Sequence, residues 1–140
     1  MRVMVFIPGD KSSEAGTIPS QELVGKMMKF NEELVKAGVM LAANGLTPTS
    51  KAKRVRFSGS QRTVSDGPFA ESKEIIAGYW IWQVKSMEEA IEWLKRAPFD
   101  GVEVTLRPVF EPEDFGRDLA PELRAKAAEL QAESERQRKS

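Results

Sequence analysis

Residues 65–84, SDGPFAESKEIIAGYWIWQV, run a tight turn, a set of alternating charges and an aromatic strand into one continuous stretch. The second half decides the fold. From Ala77 to Val84 the residue types favour a strand, and its period of two puts Trp80 and Trp82 on one side with Tyr79 and Ile81 on the other. Val3 to Ile7 repeats the pattern: Met4 and Phe6 oppose Val3, Val5 and Ile7, and Pro8-Gly9-Asp10 closes the run with a turn and a polar loop. Two strands that are apolar on both faces need cover on both.

The segments around them supply half of that cover. Ser20 is placed to cap a helix whose apolar residues recur at Leu23, Met27, Phe30 and Leu34, with Val24, Met28 and Val35 widening the stripe and Gly38 ending it. Val39 to Gly45 reads as a second strand, and Lys53 to Val64 as a hairpin turning at Gly59-Ser60. Ser86 to Glu89 has the form of a capping box that opens a helix running toward Pro98. Val102 to Val109 alternates, with Val102, Val104 and Leu106 opposite Glu103, Thr105 and Arg107, and Pro108 marks an edge. Strand–helix–strand, hairpin, strand–helix–strand predicts an α+β, ferredoxin-like antiparallel sheet with both helices on one face. The second apolar face then calls for a second subunit, and a homodimer is expected; the hairpin or the tail folding over that face is the alternative. Residues 1–116 are read as the domain. Residues 117–140 form a helical tail with Leu119, Leu123, Ala127 and Leu130 at helical spacing, which either packs lightly or grips a partner.

Composition narrows the chemistry. The 140 residues are 41% hydrophobic and 30% charged, with 21 basic and 21 acidic side chains, which fits one globular domain and argues against a nucleic-acid binder. Cysteine and histidine are both absent, so thiolate chemistry, sulfur-ligated zinc and the usual neutral-pH general base are excluded. The N-terminal apolar run is too short for a secretory signal and no segment approaches a membrane span, so a cytoplasmic protein is expected. The acidic group Glu111, Glu113 and Asp114 lacks a calcium-loop pattern, and no Walker A, G-x-G-x-x-G or G-x-S-x-G motif occurs; neither a metal nor a cofactor is expected.

Asp66-Gly67-Pro68-Phe69 is a turn built from residues that each favour turning. The longer string DGPFAESKEIIAGYWI, followed after a helix by VEVTLRPVFEPEDFG, closely resembles the YCII-related, DGPF-domain family, as do the N-terminal strand and AGVMLAANGLTP. The resemblance spans residues 1 to 116. It implies a dimeric α+β barrel of ferredoxin-like subunits, a pocket near the DGPF turn serving small-molecule binding or chemistry, and in some relatives an association with extracytoplasmic-function sigma factors. YciI-like relatives are associated with a His–Asp pair; Asp66 resembles the family's aspartate, but with no histidine in the chain the pair does not carry over.

Six residues follow as candidates. Asp66, set against Phe69 and the tryptophans, is either an acid/base with a raised pKa or a turn-capping side chain. Tyr79, the only tyrosine, is either a proton donor at a pocket wall or a packing residue with one hydrogen bond. Arg107 suits a carboxylate ligand through its guanidinium fork, or pairs with Glu103 or Glu111. Phe69, Lys73 and Trp80 complete a substrate-binding set, against the readings of Lys73, with Glu71 and Glu74, as a solvated face and of Trp80 as core. Asn44 and Gly45 end a strand that could meet the pocket. The function expected is binding of a small organic ligand, anionic or aromatic, with cofactor-free proton transfer or isomerisation if there is catalysis. A regulatory module in a sigma-factor pathway is the alternative.

Overall fold

The computed structural model describes residues 1–69 and 75–139. The chain divides into two compact units, Met1–Pro108 and Val109–Ser140. The first holds β1 (Arg2–Pro8), the short helix α1 (Lys11–Glu14), α2 (Gln21–Lys36), β2 (Met40–Gly45), β3 (Lys53–Ser58), β4 (Gln61–Asp66), β5 (Ile76–Gln83), α3 (Met87–Lys95) and β6 (Thr105–Pro108). Four strands form an antiparallel sheet in the order β2-β5-β1-β6, so each strand–helix–strand crossover brackets a strand of the other, the ferredoxin-like arrangement expected. The sheet is open, with β2 and β6 as its edges; it does not close into a barrel within the chain.

Local signals place the helices. Ser20 Oγ accepts from the Leu23 N–H at 3.2 Å, and Gly38, at φ +72°, takes the left-handed position that lets the chain leave α2. Ser86 Oγ likewise accepts from the Glu89 N–H, but the Glu89 carboxylate reaches one residue further back, to the Lys85 N–H at 2.7 Å, so the expected reciprocal bond to Ser86 is displaced. The polar loop expected after Pro8 begins with a helical turn instead. Asp10 and Ser13 cap each other, side chain to backbone, in both directions, which offsets the ordering of a four-residue helix. Strand β6 is four residues long, not the eight expected: its ladder with β1 runs from Pro108 to Thr105 and stops where β1 shifts register between Ile7 and Pro8.

The core lies on the helix-covered face. Val3, Val5, Trp80 and Trp82 pack there against Phe30 and Leu34 of α2 and Ala90 of α3, all nearly inaccessible to solvent. Phe30 meets Trp80 edge-on at 5.7 Å and Trp82 at 6.3 Å, geometries that add to simple burial. The stripe of α2 is narrower than its sequence suggests, since Met28 and Val35 stay exposed. Glu33 of α2 pairs with Arg96 just after α3 at 2.7 Å, joining the two helices over the sheet. On the opposite face Met4, Phe6, Tyr79 and Ile81 are only half-buried.

Strands β3 and β4 form a sheet of their own, a two-stranded ribbon in which every residue is exposed. Lys53 opposes Asp66 at its base, and Phe57 opposes Arg62 near its tip.

The second unit contains a 3-10 segment (Pro112–Asp118) and α4 (Pro121–Lys139). No residue of α4 is buried, and i,i+3 ion pairs such as Lys126–Glu129 lie along its surface. Among the described residues no helix is long and apolar enough to cross a membrane.

Candidate functional site

The DGPF turn is held by a hydrogen-bonded chain that crosses large sequence distances. The Glu14 carboxylate accepts both the Thr49 N–H, at 3.0 Å, and the Thr49 hydroxyl; Thr49 Oγ1 in turn accepts the Phe69 N–H at 3.2 Å. Gly67 donates to the Ala52 carbonyl at 2.9 Å. A Cβ on Gly67 would lie 1.7 Å from the Thr49 carbonyl oxygen, so only glycine lets the two backbones approach this closely. The Gly67–Pro68 peptide is cis. Arg54 lies over the Phe69 ring at 3.7 Å from its centroid, a cation–π contact.

This corner does not enclose Asp66. Its side chain is 71% exposed and forms an ion pair with Lys53, its ladder partner across the base of the ribbon. The apolar surroundings expected around it are absent: Phe69 is covered by Arg54, and the tryptophans lie in the core. Lys73, Glu71 and Glu74 lie outside the described residues.

Two cavities flank the sheet. The larger, about 710 Å³, lies on the face that carries no helix, where Phe6, Ile75 and Ile76 form apolar walls and Thr105, Glu103 and Arg107 the polar ones. The ladder explains the convergence. Phe6 faces Thr105 and Met4 faces Arg107, so period-two alternation delivers residues 103, 105 and 107 to one side. Arg107 is exposed, and no ion pair joins it to a carboxylate among the described residues, so its fork is available to an anion.

The smaller cavity, about 350 Å³, opens between α2 and the β2–β5 end of the sheet. Ile7, Met27, Ala43 and Trp80 line it together with Asn31, Asn44 and Tyr79. Asn31 accepts the Trp80 indole N–H at 2.9 Å, and Asn44, opposite Tyr79 in the ladder, donates to the Tyr79 hydroxyl at 3.0 Å. Trp80 itself is 2% exposed, a core residue that shows one side to this cavity.

The sequence-derived candidates therefore divide among three places. Arg107 lines the open-face cavity, Tyr79 and Trp80 line the helix-side cavity, and Asp66 and Phe69 belong to the corner at the ribbon's base. Asn31 went unnoticed in the sequence, yet its signal was there: a polar residue at the i+4 position from Met27 within an apolar stripe. Glu14 and Thr49 had no local signal, because they are 35 residues apart and meet only in the fold.

Comparison with known proteins agrees with this architecture. An uncharacterized protein of Rhizobium meliloti (strain 1021) is 36% identical over 75 residues, a match covering 54% of this chain and 60% of that relative's length. The model of the YCII-related domain matches residues 1–112, so the chain belongs to the YCII-related family.

Proposed function

We propose that this protein binds a small organic anion in the open-face cavity, as a homodimer whose subunits meet over the same sheet face. The observation that carries the reading is the cavity of about 710 Å³ in which Arg107, with no carboxylate partner among the described residues, stands beside apolar walls from Phe6, Ile75 and Ile76. A guanidinium can hold a carboxylate bidentately while the apolar walls receive the ligand's body. The dimer is supported by the half-buried Met4, Phe6, Tyr79 and Ile81, and by the full exposure of the ribbon, which rules out one intramolecular cover for them. With the cavity at the β1–β6 side of that face, a partner would form its outer wall. Proton transfer by Asp66 and Tyr79 is not part of the proposal, because Asp66 is engaged by Lys53 and Tyr79 lines the other cavity.

Calorimetric titration with benzoate tests the site. Arg107→Ala should weaken benzoate binding by about tenfold or more, the loss of one charge-assisted pair. Equal affinity in the variant overturns the assignment of Arg107. A monomer mass by light scattering at crystallisation-scale concentration overturns the dimer.

A further inference from the structure

We infer that the helix-side cavity is a second ligand site, which takes a small uncharged carbonyl compound, a carboxamide or ketone on a planar apolar body. This does not rest on the anion site. At about 350 Å³ the cavity falls at the lower end of the range that small-molecule pockets occupy. None of its lining residues is Asp, Glu, Lys or Arg, so a charged ligand would be desolvated there without compensation. Ile7, Met27, Ala43 and the Trp80 indole give it an apolar wall.

The polar groups are few, and hydrogen bonding has already settled which ends are occupied. Asn31 Oδ1 is taken by the Trp80 indole N–H, which orients the amide and leaves both Nδ2 hydrogens to donate. Tyr79 Oη accepts from Asn44 Nδ2, so the phenolic proton is also left to donate. Asn44 Oδ1 remains as an acceptor. Two neutral donors and one acceptor around an apolar space complement a carbonyl with an adjacent N–H, and a primary carboxamide satisfies all three groups. A carboxylate would meet the donors but bring a charge with no cation beside it.

Benzamide and benzoate therefore discriminate the two cavities, being near-isosteric and differing in charge. Benzamide titrated into the ¹⁵N-labelled full chain should shift the Trp80 indole N–H and the Asn31 side-chain amide while leaving the Trp82 indole in place. Asn31→Asp keeps an acceptor for Trp80 but replaces the donors by a carboxylate, and should weaken benzamide by about tenfold or more; Tyr79→Phe should weaken it by severalfold. Arg107→Ala should leave benzamide unchanged and affect benzoate alone, so the two sites fail separately. A Trp80 indole that does not move at millimolar benzamide overturns the inference. So does unchanged affinity in both Asn31→Asp and Tyr79→Phe, or loss of benzamide binding in Arg107→Ala.

Discussion

Strand β5 and the β3–β4 ribbon carry the same kind of alternation in sequence and meet opposite fates. In β5, Trp80 and Trp82 are 2% and 0% exposed; in the ribbon, Phe57 and Val64 are 70% and 61% exposed. Alternation decides which side chains share a face, and in both segments it does so: the two tryptophans project together, as do Val55 and Phe57 with their ladder partners Val64 and Arg62. Burial needs something to bury against. Strand β5 is central in its sheet, flanked by β1 and β2, with α2 laid over one face. A two-stranded ribbon has no such support and too little apolar area to provide its own.

The largest effect should come from breaking the buried member of this pair. Trp82→Ala should cost about 3–5 kcal/mol in denaturant unfolding, the usual range for emptying a large core site. Trp82→Phe should cost much less than Trp80→Phe, because the buried Trp82 indole N–H has no acceptor whereas that of Trp80 is held by Asn31. Equal costs for the two phenylalanine variants would show that the Asn31 bond contributes nothing beyond packing.

Phe57→Ala is the counterpart in the ribbon. With a side chain this exposed, the dilute protein should lose no more than about 0.5 kcal/mol. A larger loss that grows with protein concentration would mean that a second copy covers the ribbon, and the contrast with β5 would then be one between two kinds of partner.

The smallest expected effect lies on the exposed side of α2. The hydrogen bond from Lys36, and then its charge, hold the Glu32 carboxyl below the usual glutamate range, while Glu32 raises Lys36 in return. A lowered folded-state pKa stabilises above the unfolded value and is lost as the pH falls through the lowered one. Glu32→Gln should therefore be marginally less stable than the parent at neutral pH and indistinguishable from it in acid. Both side chains are open to solvent and screened, so a clear gap between the two melting curves at neutral pH would contradict this reading.

Much of the framework was legible because it is local. Ser20 and Ser86 cap the helices they precede, Gly38 ends α2, and Arg107 reaches the face opposite Leu106, each through chemistry within a few residues. What stayed hidden depends on distant partners. Asp66 looked like an acid waiting among aromatics until the ladder set Lys53 opposite it. The length of β6 was decided by where β1 shifts register, about a hundred residues earlier in the chain.

By itself, then, the sequence determined the element types, their caps, the ferredoxin-like order and the membership of each strand face, since propensity, capping and period-two alternation act over short spans. Only the tertiary structure decided that Glu14 and Thr49 anchor the DGPF corner, that Asn31 turns an apolar stripe toward Trp80, and that Arg107 and Tyr79 line separate cavities. Those are juxtapositions of residues tens of positions apart. No local preference encodes them; they arise when the sheet and its helices close around a shared core.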